Sequence, residues 1–213
     1  MYYQVMDNTK SKNNKFFLIF SDIDGTFMNH KNYSYSILKK YILLLKDNCQ
    51  IIFNSSKTFE EMNELNQSLN LRSPFIVENG ACIFFPKNYN QVVFDKNFFK
   101  HSNYLGYKLT KKNSHSLISE INHLRKKYKF SFFSEVSDFQ LKKITNLNTQ
   151  EIKKSKMRMF SNPLYWEDEE IKKKQFEKEI NNLGYEISHG GRFLHLCDSY
   201  NKGKAVKKFL KIL

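Results

Sequence analysis

An apolar run that stops at two acids constrains this chain more than any other segment. Phe16 to Phe20 has the composition of a buried strand, and it leads directly into Ser21-Asp22-Ile23-Asp24-Gly25-Thr26. Alternate side chains of an extended backbone share a face, so Asp22 and Asp24 point one way while Ile23 turns to the core. Gly25 permits a turn directly after them. Two carboxylates at one strand end suit phosphoryl transfer. Asp22 is placed to attack phosphorus, and Asp24 to protonate the leaving oxygen and then deprotonate the incoming water. The Thr26 hydroxyl and nearby amides offer donors to phosphate oxygens. The same residues also read, without chemistry, as a strand leaving the core through an Asp/Gly turn.

The flanking pattern supplies a scaffold. Leu38, Tyr41, Ile42 and Leu45 recur at helical spacing and predict a crossover helix over Tyr35 to Asp47, returning the chain to a parallel strand at Gln50 to Phe53. Thr58 and Glu61 form a capping-box pattern that starts a helix reaching about Leu69. Ser55, Ser56 and Lys57 are thereby left at its positive end, where free amides favour a phosphate oxygen. Asn79-Gly80 between apolar runs predicts a hairpin. Beyond it, Leu117, Ile121 and Leu124 mark one amphipathic helix, and Ile171, Phe176 and Ile180 mark another between Asp168 and Leu183. Strand-like runs fall at Lys129 to Phe133, Met157 to Phe160, Tyr185 to Ser188 and Phe193 to Cys197. The expected fold class is α/β, with a parallel-sheet core and an inserted α+β unit.

Five segments in order resemble the haloacid dehalogenase phosphatases, in particular the mannosyl-3-phosphoglycerate phosphatase group. Asp22-Ile23-Asp24-Gly25-Thr26 is similar to the first motif, and Ile51-Ile52-Phe53-Asn54-Ser55-Ser56-Lys57-Thr58 to the second. Phe75-Ile76-Val77-Glu78-Asn79-Gly80-Ala81 resembles the turn preceding a large cap. Arg158-Met159-Phe160-Ser161-Asn162-Pro163 and Gly190-Gly191-Arg192-Phe193-Leu194-His195-Leu196 resemble cap segments, and Asn201-Lys202-Gly203-Lys204-Ala205 the third motif. The group usually has Ser-Glu-Pro where this chain has Ser161-Asn162-Pro163.

The resemblance implies a Rossmann-like core over residues 1–87 and 196–213 and a substrate-selecting cap over 88–195. It implies Asp22 as nucleophile, Asp24 as acid/base, Ser55 and Lys202 on the phosphoryl group, and Gly25, Thr26, Ser56, Lys57, Arg158, Ser161, Gly191 and Arg192 on substrate. It implies magnesium (Mg2+), held by the Asp22 carboxylate and the main-chain carbonyl of Asp24. The expected reaction is hydrolysis of mannosyl-3-phosphoglycerate through an aspartyl-phosphate. Glucosyl-3-phosphoglycerate or another sugar phosphate is the alternative substrate, and a binding-only remnant the alternative role. The family's acidic fourth motif follows the third by one helix and one strand, whereas no acidic residue follows Lys202 here. The core is therefore expected to be incomplete at its C-terminus, with the strand at Phe16 to Phe20 as an exposed apolar edge.

Several residues support two readings. Arg is scarce, so Arg158 and Arg192 stand out as grips for the glycerate carboxylate, yet each reads equally as half of a surface salt bridge. Ser161 is either a donor to a sugar or glycerate oxygen or a turn-former before Asn162-Pro163. Trp166 reads as a packed lid aromatic or a sugar platform, His189 as a loop residue, and Lys202 as either a solvated charge or a catalytic group.

Composition narrows the classes. The chain has 213 residues and a formal charge of +14, but its lysines are spread along it without a basic groove, so no nucleic-acid partner is expected; the positive field suits an anionic small molecule. No segment has the roughly 20 apolar residues that span a bilayer. The polar stretch to Asn14 lacks a signal core, and Cys49, Cys82 and Cys197 have no pairing pattern, so a cytoplasmic protein with reduced thiols is expected. Nothing in the sequence fixes an oligomeric state.

Overall fold

The computed structural model describes residues 2–5, 16–27, 36–45 and 47–213. Its strands are β1 (Tyr2–Val5), β2 (Phe16–Ser21), β3 (Cys49–Asn54), β4 (Phe75–Val77), β5 (Cys82–Pro86), β6 (Phe98–His101), β7 (Tyr104–Lys108), β8 (Phe130–Phe132), β9 (Leu164–Trp166), β10 (Glu186–Gly190) and β11 (Phe193–Cys197). Its helices are α1 (Ser36–Leu45), α2 (Phe59–Ser68), α3 (Ser114–Ile121), α4 (Asp138–Thr145), α5 (Thr149–Lys156), α6 (Glu170–Asn182) and α7 (Lys202–Ile212).

A seven-stranded sheet runs in the order β1-β2-β3-β4-β5-β7-β6, with β2, β3 and β4 mutually parallel and the outer pairings antiparallel. Strand alternation sends Phe53, Phe75, Val77 and Phe84 to one face, against Phe59, Met62 and Leu65 of α2 and Ile42 of α1. The other face takes Phe20, Ile52, Ile76, Ile83 and Phe85 against Ala205, Val206 and Phe209 of α7. Phe209 stacks on Phe85 with ring centroids 5.1 Å apart and meets Phe20 edge-on. The result is the expected α/β core, with helices on both faces of a sheet whose centre is parallel.

Two expectations change here. β2 is not a bare edge, because β1 pairs with it antiparallel, Tyr2 opposite Ile19 and Val5 opposite Phe16. Strands β6 and β7, which a boundary at residue 88 would assign to the cap, extend the first sheet through β5. Along α1, Ile42 is buried while Tyr41 and Leu45 are exposed; Asp47, the expected end of the helix, lies in a turn, and Tyr35, Lys46 and the Leu38 side chain lie outside the described residues.

The second sheet has four antiparallel strands in the order β10-β11-β9-β8. Leu164, Leu194, Leu196, Phe130 and Phe132 pack under α3 and α6, against Leu117, Ile121, Phe176 and Ile180 of the predicted stripes; Ile171 is exposed instead, and Leu124, though buried, falls in a 3-10 turn after α3. Tyr165 and Phe193, one residue out of phase, meet Leu141 of α4 and Ile152 of α5 on the other side. Trp166 is a packed aromatic, 5.1 Å from the Phe176 ring. Met157 to Phe160, expected as a strand, is irregular, because its amides bond to a distant carboxylate instead of a neighbouring strand. The three cysteines are free and buried.

Candidate active site

Asp22 and Asp24 follow the end of β2, where the amides of Thr26 and Phe27 turn back onto the Ile23 carbonyl and Gly25 takes a φ of 74°. One Asp22 oxygen, Oδ1, accepts the Ile23 N–H at 2.7 Å, and Oδ2 lies 2.8 Å from Lys202 Nζ. Lys202 opens α7, whose N-cap Asn201 accepts the Lys204 N–H. Asn54, at the end of β3, donates its side-chain amide to the Lys202 carbonyl at 3.0 Å. Asp22 and Lys202, far apart in sequence, are thereby fixed across the parallel strands.

Asp24 faces a different cation. Lys57 Nζ lies 3.6 Å from Asp24 Oδ1 and 3.4 Å from Glu61 Oε1. Glu61 is the reciprocal member of the capping box with Thr58, which confirms the start of α2. Asp24 Oδ1 is sealed from solvent with no hydrogen-bond partner.

These groups open into a cavity of about 730 Å³. Its walls bring together Asp22, Asp24, Ser56, Lys57, Arg158, Gly191, Arg192 and Lys202 from the expected site, the lid side being formed around the β10–β11 turn. Ser55, Ser161, Gly25 and Thr26 are not in those walls. Ser55 is fully buried, its hydroxyl oxygen accepting the Lys57 N–H at 3.3 Å, and Ser56 is the second-motif serine that faces the cavity.

The two arginines separate. Arg158 is nearly buried and committed to protein: Nε donates to Ser161 Oγ at 3.1 Å and an Nη to the Ser56 carbonyl at 2.8 Å. Arg192 is exposed and makes no ion pair among the described residues. Ser161 itself donates to Glu78 Oε2 at 2.6 Å, so its hydroxyl points away from any ligand in the cavity.

Sequence reasoning missed Glu78. Its carboxylate is buried and accepts the N–H groups of Met159 (2.9 Å), Phe160 (3.2 Å) and Ser161 (2.7 Å), with Arg158 Nε 3.8 Å away. The signal was a lone acid inside the apolar run from Phe75 to Phe85. His195 was also passed over. It lines the cavity at 8% exposure, and burial, then the charges of Arg158 and Lys202, push its pKa down to about 3. His189, exposed in β10, pairs with Glu177 at 3.2 Å. Cys197 also lines the cavity, but burial raises its thiol pKa to about 11, which leaves it a poor nucleophile.

A parallel-centred α/β core with paired acids at a strand end defines a hydrolase class, and the comparisons agree. The model of the haloacid dehalogenase-like hydrolases matches residues 19–213, and the chain belongs to that family. It is 31% identical over 197 residues to the glucosyl-3-phosphoglycerate/mannosyl-3-phosphoglycerate phosphatase of Persephonella marina, covering 92% of this chain and 72% of the relative. To the mannosyl-3-phosphoglycerate phosphatase of Pyrococcus furiosus it is 31% identical over 170 residues, 79% of this chain and 67% of the relative. Among solved structures, a Thermoplasma acidophilum protein superposes with a TM-score of 0.62 at 16% identity, over 91% of this chain and 70% of the other, which is a likeness of fold. Family and relatives together support a phosphoric monoester hydrolase. No helix among the described residues is long and apolar enough to cross a membrane.

Proposed function

We propose that the protein hydrolyses mannosyl-3-phosphoglycerate to mannosylglycerate and phosphate through an aspartyl-phosphate, in the cytoplasm. The observation that carries this reading is the Asp22–Lys202 pair beside Asp24 and Lys57, at one side of a cavity whose lid wall holds the uncommitted Arg192. Asp22 attacks phosphorus and the bond to the leaving oxygen breaks. Asp24 gives its proton to that oxygen. Asp24 then takes a proton from water, which attacks the same phosphorus and releases Asp22. Lys202 and Lys57 hold phosphoryl oxygens as well as the two acids, and the Ser56 hydroxyl adds a donor; Ser55 supports this loop from beneath. Arg192 grips the glycerate carboxylate. Arg158 acts indirectly, fixing the Ser56 carbonyl and Ser161. The four-stranded sheet and its helices serve as the lid that excludes water from the closed site.

The donor set fits magnesium. Asp22 and Asp24 offer hard oxygens, one of which, Asp24 Oδ1, has no hydrogen bond. No group of three or more acids, histidines or cysteines among the described residues could hold a metal unaided. Magnesium takes one or two protein carboxylates and completes its shell with phosphate oxygens and water. The Asp22 carboxylate and the Asp24 main-chain carbonyl would hold it, and its charge would offset that of the phosphoryl group during transfer.

Phosphate release from mannosyl- and glucosyl-3-phosphoglycerate, with and without magnesium, tests the reading. Magnesium-dependent turnover of the mannosyl ester by the wild type, lost in Asp22→Asn, is expected. Retained turnover in Asp22→Asn removes the nucleophile, and a preference for the glucosyl ester changes the substrate.

A further inference from the structure

β11 carries its side chains to two environments. Leu194 and Leu196 go to the apolar cluster under α3 and α6, while Phe193, His195 and Cys197 line the cavity that also holds Asp22. Of those three, His195 is the polar one. Its Nδ1 is sealed from solvent and has no hydrogen-bond partner. With Arg158 and Lys202 nearby and little water, the ring stays uncharged near neutral pH.

A neutral imidazole has one N–H and one bare nitrogen. A sealed nitrogen without a partner is tolerated better bare than as an orphan donor. The proton therefore belongs on Nε2. That atom lies against the backbone of Gly190, another cavity residue: a Cβ there would come within 2.5 Å of Nε2 and 3.6 Å of the Phe193 carbonyl. The glycine gives the edge of the ring room to lie there, and Nε2, unlike Nδ1, is not sealed from solvent.

We propose that His195 is a specificity-determining residue, its Nε2–H donating beside Gly190 into the cavity, to an uncharged oxygen of the substrate's sugar. This deepens the phosphatase reading and rests on it. The cations that face the cavity, Lys57, Arg192 and Lys202, serve anionic groups. An uncharged donor adds what they lack, discrimination for a hydroxyl or ring oxygen. A site built around such a hydrogen bond rejects analogues that cannot accept it.

The test compares mannosyl-3-phosphoglycerate with 3-phosphoglycerate, which keeps the phosphate and carboxylate but has no sugar. His195→Leu is expected to lower kcat/KM for the glycosyl ester roughly 10- to 100-fold through KM, and to leave 3-phosphoglycerate turnover within about twofold. His195→Gln, whose amide nitrogen reaches towards the Nε2 position, restores part of the loss, and Gly190→Ala reproduces it. Equal losses on both substrates in His195→Leu and Gly190→Ala overturn the proposal.

Nitrogen-15 spectra of the His195 ring in the wild type, assigned by their absence in His195→Gln, give a readout independent of turnover. A neutral Nε2–H tautomer that shifts on titration with mannosylglycerate is expected. An Nδ1–H tautomer, or no shift at saturating mannosylglycerate, overturns the assignment. Should the ring respond to mannosylglycerate while the wild type hydrolyses neither ester, the phosphatase reading fails and the sugar contact stands.

Discussion

Replacing Glu78 by leucine removes the acceptor on which a whole lid segment hangs. The carboxylate takes three backbone N–H groups, from Met159, Phe160 and Ser161, and the Ser161 hydroxyl, all within 3.2 Å. Leucine is similar in size but accepts none of these bonds. Each buried donor left unpaired costs about 1–3 kcal/mol. Partial exposure of the loop and rotation of the Ser161 hydroxyl offset some of that sum. Breaking a buried pair by removing one partner costs about 3–5 kcal/mol, and the Arg158 guanidinium would be left with only Ser161 and the Ser56 carbonyl. We therefore expect Glu78→Leu to lose about 4 kcal/mol, measured by urea unfolding at pH 7.5. Glu78→Gln, which keeps one acceptor oxygen but turns an NH2 towards donors, should lose about half as much. A loss under about 1 kcal/mol for Glu78→Leu, with unchanged m-value, would refute the reasoning, because three buried donors and a part-buried one cannot be released so cheaply.

Other perturbations separate the remaining parts. Gly80 has a φ of 99°, and a Cβ there would come within 2.6 Å of the Asn201 carbonyl carbon and 3.0 Å of the Lys202 nitrogen. Gly80→Ala should cost about 3 kcal/mol and lower kcat by displacing Lys202; wild-type melting and turnover would disprove the contact. Stability should also fall with acid: an unfolded histidine takes a proton near pH 6.5, whereas folded His195 resists it until about pH 3, so stability is lost as pH drops between those values. Between pH 7.5 and 5 this contributes about 2 kcal/mol to the loss, and denaturant titrations of His195→Leu at both pH values should show a correspondingly shallower decline. Arg192→Ala should raise KM for mannosyl-3-phosphoglycerate roughly tenfold or more with unchanged melting, while Arg158→Ala should lower both melting temperature and kcat; the reverse pattern would exchange their roles.

The sequence made visible what depends on neighbours in the chain. The alternation at Asp22 and Asp24, the Thr58–Glu61 capping box and the helical spacing of Leu117 with Ile121 and of Phe176 with Ile180 are local patterns, and each reappears in the structure. Local pattern fails where the partner is remote. Met157 to Phe160 reads as a strand, but two of its amides are claimed by Glu78, about 80 positions earlier in the chain. Arg158 and Arg192 look alike in sequence, and it is remote partners, Ser56 at 102 residues and Glu78 at 80, that set Arg158 apart. Helices α4 and α5 each span eight residues and bury one large apolar side chain, Leu141 and Ile152, too few for a period to emerge. No feature of residues 98–108 indicates which sheet they join. Their place follows from pairing with β5, which is antiparallel to β4 and takes β7 along its other edge.

The turn at Glu78 to Gly80 explains how distant segments share one geometry. Three consecutive residues there have positive φ, 49° at Glu78, 61° at Asn79 and 99° at Gly80. For a residue such as glutamate that conformation costs about 1–3 kcal/mol, and it persists only where the surroundings over-determine it. Here they do. The Glu78 N–H is held by the Lys57 carbonyl at 3.0 Å and the Asn79 N–H by the Ser55 carbonyl at 2.9 Å, which ties the turn to the loop carrying Ser56 and Lys57. Gly80 lies against Asn201 and Lys202, at the start of α7. The Glu78 side chain holds Met159 to Ser161, and Arg158 returns from that loop to Ser56. Lys57, Lys202 and the lid loop are thus referenced to one strained, buried turn that supplies no group to the proposed chemistry. A change in that turn therefore moves both cations that flank Asp22 and Asp24 together with the lid, so stability and turnover should fall together there, whereas at Arg192 they should part.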